Sequence, residues 1–492
     1  MLSPKSFDII HDLFASNQRE SVIHPDSDAS KRFQGEVYEQ LAELEYIYVD
    51  ESVLSTANEC PTTAISEQVS LGDFFEGLAQ LATLGAVEVT DIVEAIHREI
   101  ILRPIGRFND FNLNKWQTGI TGRIYGTVRY VMLLVGKNLA SVFRLYKAMI
   151  NQKTVRPVSG SLKQLVNVLN GVMGDHLVNK NNPIALPMVL YDRYGQPHNG
   201  EISGRVAVLC HGLCLSHLSW QSFNNEGLGE EILRSQPETT VLYLDYNTGQ
   251  RISCNGRNLS QVLQTLTDNN PNVSQIDLVG HSMGGLVARS ALFYGKQEGL
   301  DWIKRVGNLV TLGSPHHGAI LERIGFFVQD VIARLPFANA LAKLGDLRSA
   351  GIIDLRHGSI RDADWMSLEG RSVLPQDFRH PARLPRYVNT YLVAATLMEG
   401  HYDSKATSLL GDGLVTIDSA LGDHKGEHML MVPEGRKAVF YGLGHMSLIY
   451  SKRVHKQVVA WLLDNGKSSF NGEDDALGMR IHSYPDDFDV AI

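Results

Sequence analysis

Three residue types, placed in one chain order, carry the chemistry of this sequence: a serine between glycines, an aspartate between glycines, and a histidine after a glycine. Ser282 lies in Gly280-His281-Ser282-Met283-Gly284, directly after the apolar run Ile276-Asp-Leu-Val and before the helix-forming Leu286-Val-Ala-Arg. A G-x-S-x-G element between a strand and a helix presents its serine at a tight turn, where bulky neighbours would collide. The N-terminus of the following helix favours negative charge developing near the hydroxyl. A serine hydroxyl is a weak nucleophile until a base removes its proton, so a histidine is required. His445, in Gly442-Leu-Gly-His445-Met, follows the strand-like Ala438–Gly442 and precedes a last helix. His401, His424 and His428 fall in polar loops with no strand feeding them. His455 sits inside the last helix and reads as a surface residue.

An acid must then hold the imidazole tautomer and stabilise the imidazolium. Asp412, in Gly411-Asp412-Gly413-Leu-Val, follows the strand-like Tyr391–Ala395 and precedes His445; Asp403 and Asp423 are its rivals. Two backbone N–H groups are needed for the tetrahedral oxyanion. Met283 supplies one as the residue after the nucleophile. Leu213 supplies the other, from the turn His211-Gly212-Leu213 that ends the apolar run Val206–Cys210.

The elements that must position these residues are legible as a change of texture after Pro183 and Pro187. Apolar runs of strand length alternate with helical stretches from there on, which predicts a doubly wound, mostly parallel α/β sheet. The expected strands are Met188–Tyr191, Arg205–Cys210, Thr240–Asp245, Gln275–Val279, Val306–Leu312, Tyr391–Ala395 and Ala438–Gly442. Several are almost continuous in Val, Leu and Ile, as strands buried on both faces must be. The expected organisation is a mainly helical region over 1–180, a catalytic domain over 185–465 and an acidic, flexible tail over 466–492. A lid or cap insertion is expected over 319–385, with an amphipathic helix marked by Ile324, Phe327, Val328, Val331, Ile332 and Leu335.

Charge is segregated in the first third. Phe33 to His97 contains no Lys or Arg, and Phe111 to Gly174 contains no Asp or Glu. Ile92, Val93, Ile96 and Ile100 follow a helical period, as do Ile124, Val128, Val131, Val135, Leu139, Val142 and Tyr146. A basic amphipathic helix over 122–149 packs its stripe on the catalytic domain, makes peripheral contact with an anionic membrane surface, or docks on a partner protein. A net charge of -9 argues against nucleic-acid partners. Met1 to Phe14 carries no apolar stretch of a secretory signal, and no long charge-free apolar run follows. The expected compartment is cytoplasmic, with peripheral membrane contact as the variant. Four cysteines are too few for a disulfide framework, and Cys210 and Cys214 read as buried thiols.

His211-Gly-Leu, Gly280-His-Ser282-Met-Gly-Gly285, Gly313-Ser-Pro-His-His-Gly318, Gly411-Asp412-Gly-Leu-Val415 and Gly444-His445-Met stand in the order seen in α/β-hydrolase lipases and esterases. The chain resembles that group over about residues 185–465. The Gly313–Gly318 segment is similar to the Gly-Thr-Pro-His-x-Gly element of bacterial triacylglycerol lipases and to that of the glycosylphosphatidylinositol inositol-deacylase-like group. The resemblance implies Ser282 as nucleophile, Asp412 as acid, His445 as base, and Leu213 with Met283 as oxyanion donors. It implies a carboxylic ester hydrolase acting through an acyl-enzyme. No cofactor-binding and no metal-ligating residues are expected in the sequence. The apolar surroundings point to a medium- or long-chain acyl ester or lipid. An acyltransferase or thioesterase would use the same triad, and a non-catalytic binding protein would need it broken. His316 and His317 lack further ligands at metal spacing and read as packing or hydrogen-bonding residues.

Overall fold

The structure, a computed structural model, describes residues 69–70, 72–81, 83, 123, 126–127, 129–135, 138, 141, 160–221, 227–333, 349–366, 379–399, 410–424 and 426–464. The acidic helix around Ile92–Ile100, His401, Asp403, part of the 319–385 insertion and the 466–492 tail lie outside the described residues. The chain divides into two compact units, residues 1–59 with 98–131, and residues 60–97 with 132–492. The described positions of the first unit, from 123 to 131, are helical. The second unit holds the sheet described next.

Seven strands form its sheet: β1 (Val189–Tyr191), β2 (Gly204–Cys210), β3 (Thr240–Asp245), β4 (Val273–His281), β5 (Val306–Leu312), β6 (Asn389–Thr396) and β7 (Lys437–Tyr441). Their order is β1-β3-β2-β4-β5-β6-β7. β1 runs antiparallel to β3 and every other pairing is parallel. The strands expected from apolar runs are all present, with ends shifted by a residue or two. The central strands β2 and β4 are buried on both faces along most of their length, which is why their sequences are continuous rather than alternating.

Two apolar layers cover the sheet, one per face. On one side lie α1 (Gly160–Asn179), α2 (Ile252–Asn269) and α3 (Met283–Gln297), with Leu169, Leu259 and Leu286 fully or almost fully buried. On the other, the last helix α6 (Lys452–Asp464) sets Val454, Val458 and Leu462 against Val310, Val393 and Phe440. Each fully buried side chain of this size contributes roughly 1.5–3 kcal/mol. The insertion between β5 and β6 contributes α4 (Leu321–Ala333) and α5 (Ala350–His357). The expected amphipathic helix is therefore present, starting three residues before Ile324, with Ile324 and Val328 buried and Phe326 exposed. α1 stands before the first strand in the chain, yet Leu165, Val166, Val168, Leu169, Val172 and Leu177 sit in the same core as the sheet.

Cys210 and Cys214 are buried free thiols, and burial pushes both up to about 12. Cys254 is disulfide-bonded. Among the described residues no helix is long and apolar enough to cross a membrane.

Candidate active site

Ser282 occupies the single residue between β4 and α3, and it is one of the few non-glycine residues with positive φ. Its φ of 55° and ψ of -122° lie outside the ordinary wells, a conformation costing about 1–3 kcal/mol that persists only where the surroundings dictate it. They do so here by close backbone approach. A Cβ on Gly284 would lie 2.2 Å from the Cys210 carbonyl oxygen and 2.6 Å from that of His211. The turn therefore nests against the end of β2. The Ser282 amide donates to the Leu312 carbonyl at 2.9 Å, tying the turn to the end of β5 as well.

Asp412 and His445 stand in the loops after β6 and β7. His445 Nδ1–H donates to Asp412 Oδ2 at 2.7 Å, and both side chains are buried. The other carboxylate oxygen, Oδ1, accepts the Leu414 and Val415 amides at 2.9 and 2.8 Å. The two loops are also joined through their backbones, His445 N–H to the Asp412 carbonyl at 3.0 Å. With its proton on Nδ1, His445 keeps Nε2 as an acceptor, and that atom has no hydrogen-bond partner in the protein. No Ser282 Oγ–His445 hydrogen bond is formed in this state; such bonds often tighten only with substrate bound.

The serine and the histidine are brought together through shared neighbours. His281, the residue before Ser282, lies with its ring 4.8 Å from that of His445, and its Nε2–H donates to the His445 carbonyl at 3.1 Å. Burial and the adjacent His445 hold His281 well below the usual histidine range, so it acts as a neutral donor that fixes the His445 backbone. The turn after β5 closes the third side: a Cβ on Gly313 would lie 3.0 Å from Asp412 Oδ2 and 3.3 Å from His445 Nδ1. From the insertion, Phe327 on α4 stands edge-on to His445, ring centres 6.4 Å apart, and Arg323 of the same helix donates to the Leu410 carbonyl at 3.0 Å.

Leu213 and Met283 are both buried. Met283 opens α3, and Leu213 follows Gly212, whose own Cβ would lie 3.1 Å from Ser282 Cβ. Both backbones thus flank the serine. The rival Asp423 is instead paired with Lys437 at 2.8 Å, away from His445. His455 corrects an expectation. It is buried rather than on the surface, because its Nε2–H donates to the Ile449 carbonyl at 2.7 Å. His316 is buried between Arg289, at 3.1 Å from Nδ1, and Thr311, at 3.1 Å from Nε2. Arg379 donates to the His316 carbonyl and approaches His317 Nδ1. Both histidines are thus engaged in hydrogen bonding within the protein. Sequence reasoning passed over His281 as part of the site, although it stood inside the serine motif.

A parallel sheet with a serine turn after its central strand, and with an acid and a histidine in the loops after two later strands, decides the architecture. The fold is the α/β-hydrolase fold. Residues 201–396 match a family model described as PGAP1-like alpha/beta domain. Among solved structures, the chain is similar to the mature Bacillus licheniformis lipase BlEst2, at 21% identity over 56% of this chain and 97% of that one, with a TM-score of 0.35. It is also similar to a thermophilic esterase from Thermogutta terrifontis, at 14% identity over 56% and 93%, TM-score 0.32. An esterase from Pyrococcus furiosus matches at 16% identity over 57% and 89%, TM-score 0.32. Among curated proteins there is no significant match.

Proposed function

We propose that this protein is a serine hydrolase cleaving a carboxylic ester through Ser282, His445 and Asp412. The observation that carries the reading is the buried 2.7 Å Asp412–His445 pair, set beside a serine in a strained turn. His445 Nε2 takes the proton from Ser282 Oγ as it attacks the ester carbonyl. The Leu213 and Met283 amides hold the oxyanion. The alkoxide leaves with the proton from His445, and water, deprotonated by the same nitrogen, releases the acid and restores Ser282. Asp412 keeps its charge throughout and stabilises the imidazolium.

Leu213, Met283 and Phe327 around the reacting atoms favour an apolar acyl group, so the substrate class is a medium- or long-chain acyl ester, including lipids. The basic helix supports a peripheral role, since Met132, Leu134 and Val135 lie exposed on it. A hydrolysis profile over ester chain lengths, with and without anionic vesicles, tests the substrate reading. Turnover rising with chain length and abolished in Ser282→Ala is expected. Turnover unchanged in Ser282→Ala, or confined to acetyl esters, overturns it.

A further inference from the structure

A second buried polar cluster lies behind the turn that carries Leu213. Asp245, at the end of β3, is almost fully buried. Its Oδ2 accepts Lys163 Nζ at 2.8 Å, and its Oδ1 accepts the His217 amide at 2.7 Å. His217 Nδ1 approaches Oδ2 to 3.0 Å, and His211 Nε2 approaches Oδ1 to 3.5 Å. The carboxylate therefore holds the His217 end of the 211–217 loop by a hydrogen bond, with His211 alongside it at the other end. Burial pushes Asp245 up, but Lys163 and the two histidines outweigh it and hold the carboxyl well below its ordinary range.

The rest of the loop is anchored to the same platform. Tyr246, next to Asp245, donates from its hydroxyl to the His211 carbonyl at 2.7 Å, and its ring stacks on His211 at 4.5 Å. His211 Nδ1–H donates to the Gly212 carbonyl at 2.9 Å. Thr248 Oγ1 accepts the Cys214 amide at 3.2 Å. The peptide between Gly212 and Leu213, which carries the Leu213 N–H, is thus fixed through its carbonyl by a histidine that faces Asp245.

Lys163 is the cation that completes this arrangement, and it comes from α1, outside the sheet. α1 also touches the loop directly. A Cβ on Gly171 would lie 2.2 Å from Cys214 Sγ and 3.3 Å from Cys214 Cα. Two points of one helix therefore bear on the stretch that presents the Leu213 amide.

We propose that Lys163 is a positioning residue: by pairing with Asp245 it holds the 211–217 loop so that the Leu213 N–H points at the oxyanion. The proposal rests on the ester-hydrolase reading and assigns α1 a part in that reaction. Without Lys163 a buried carboxylate is left without its cation, which is strongly unfavourable. The loop relaxes in response, and an amide aimed at a transition-state charge loses its value with a small displacement.

The test is made on the full chain with p-nitrophenyl butyrate, at temperatures where each variant is folded by circular dichroism. Lys163→Met is expected to lower kcat by about 10- to 100-fold while KM stays within about twofold. Affinity for a trifluoromethyl ketone, whose adduct with serine bears the oxyanion, is expected to fall by the same factor. Lys163→Arg restores most of both. If Lys163→Met does not fold, Lys163→Met/Asp245→Asn removes the stranded charge, and the same kcat loss is expected because a carboxamide grips the loop less tightly. Wild-type kcat in the folded variant, or a loss confined to KM or thermal stability, overturns the positioning role. A wild-type protein with no turnover overturns the hydrolase reading itself.

Discussion

Asp412→Asn separates the role of a charge from the role of a shape. The side chain sits between two kinds of partner: Oδ1 faces the donors Leu414 N–H and Val415 N–H, and Oδ2 faces His445 Nδ1. An asparagine must keep its carbonyl oxygen toward the two amides, because an NH2 group there would meet two donors. Its Nδ2–H2 is then forced toward His445 Nδ1, which must become the acceptor. The imidazole proton moves to Nε2, and the acceptor that the proposed mechanism assigns to the Ser282 proton is lost. The loss expected for the wrong tautomer is about 10⁴ in kcat, or roughly 5 kcal/mol at 1.36 kcal/mol per decade. Folding is expected to change little, because both amide bonds and the steric fit survive. The assay is steady-state hydrolysis of a soluble ester between pH 6 and 9, alongside thermal denaturation. An Asn variant within tenfold of wild type refutes the reasoning, as does a loss explained by unfolding.

Other outcomes follow from the same geometry. Ser282→Gly relieves a positive-φ residue, so it is expected to stabilise the fold by about 1 kcal/mol in urea titration while abolishing turnover. Equal or lower stability would contradict the strain. Gly284→Ala drives a methyl into the Cys210 and His211 carbonyls and is expected to cost at least about 3 kcal/mol, because backbone gives way less readily than side chains. His281, His316, His317 and His455 are all held below the usual histidine range, chiefly by burial, His317 down to about 4. Through these histidines the unfolded chain binds more protons than the folded one below about pH 6.5, and Asp354, which burial raises to about 6, offsets one of them, so stability is expected to fall as pH drops from there toward 4. Each such histidine adds up to about 1.4 kcal/mol per pH unit. Urea midpoints at pH 7 and pH 5 check the sign, and a midpoint that rises on acidification overturns it.

The sheet was legible because its strands are buried on both faces, which forces runs such as Val206–Cys210 and Val306–Leu312 into continuous apolar sequence. Ser282, Asp412 and His445 were legible because the turns that present them need glycines and follow strands in a fixed order. Their convergence was not visible in any local pattern. Asp245 looked like the polar end of an apolar strand, and its cation lies 82 residues earlier. Ion pairs across such distances leave no periodic trace, so Lys163 was read only as one charge in a basic stretch. α1 was grouped with the N-terminal region because the change of texture in the sequence comes only after it, at Pro183 and Pro187. Its place in the core depends on Gly171 and Gly174, where the chain approaches Cys214 and Asn247. His455 was misplaced for a similar reason, since its carbonyl partner Ile449 lies in the short helix Ser447–Tyr450 before α6 rather than in α6 itself.

The central claim is that Ser282 is a nucleophile activated by its neighbours. Incubation of the intact protein with a fluorophosphonate, followed by peptide mass spectrometry, reads this directly. The account predicts one adduct, on the peptide bearing Ser282, absent from Ser282→Ala and strongly slowed in His445→Ala. No adduct on folded protein, or an adduct that survives Ser282→Ala, would contradict it.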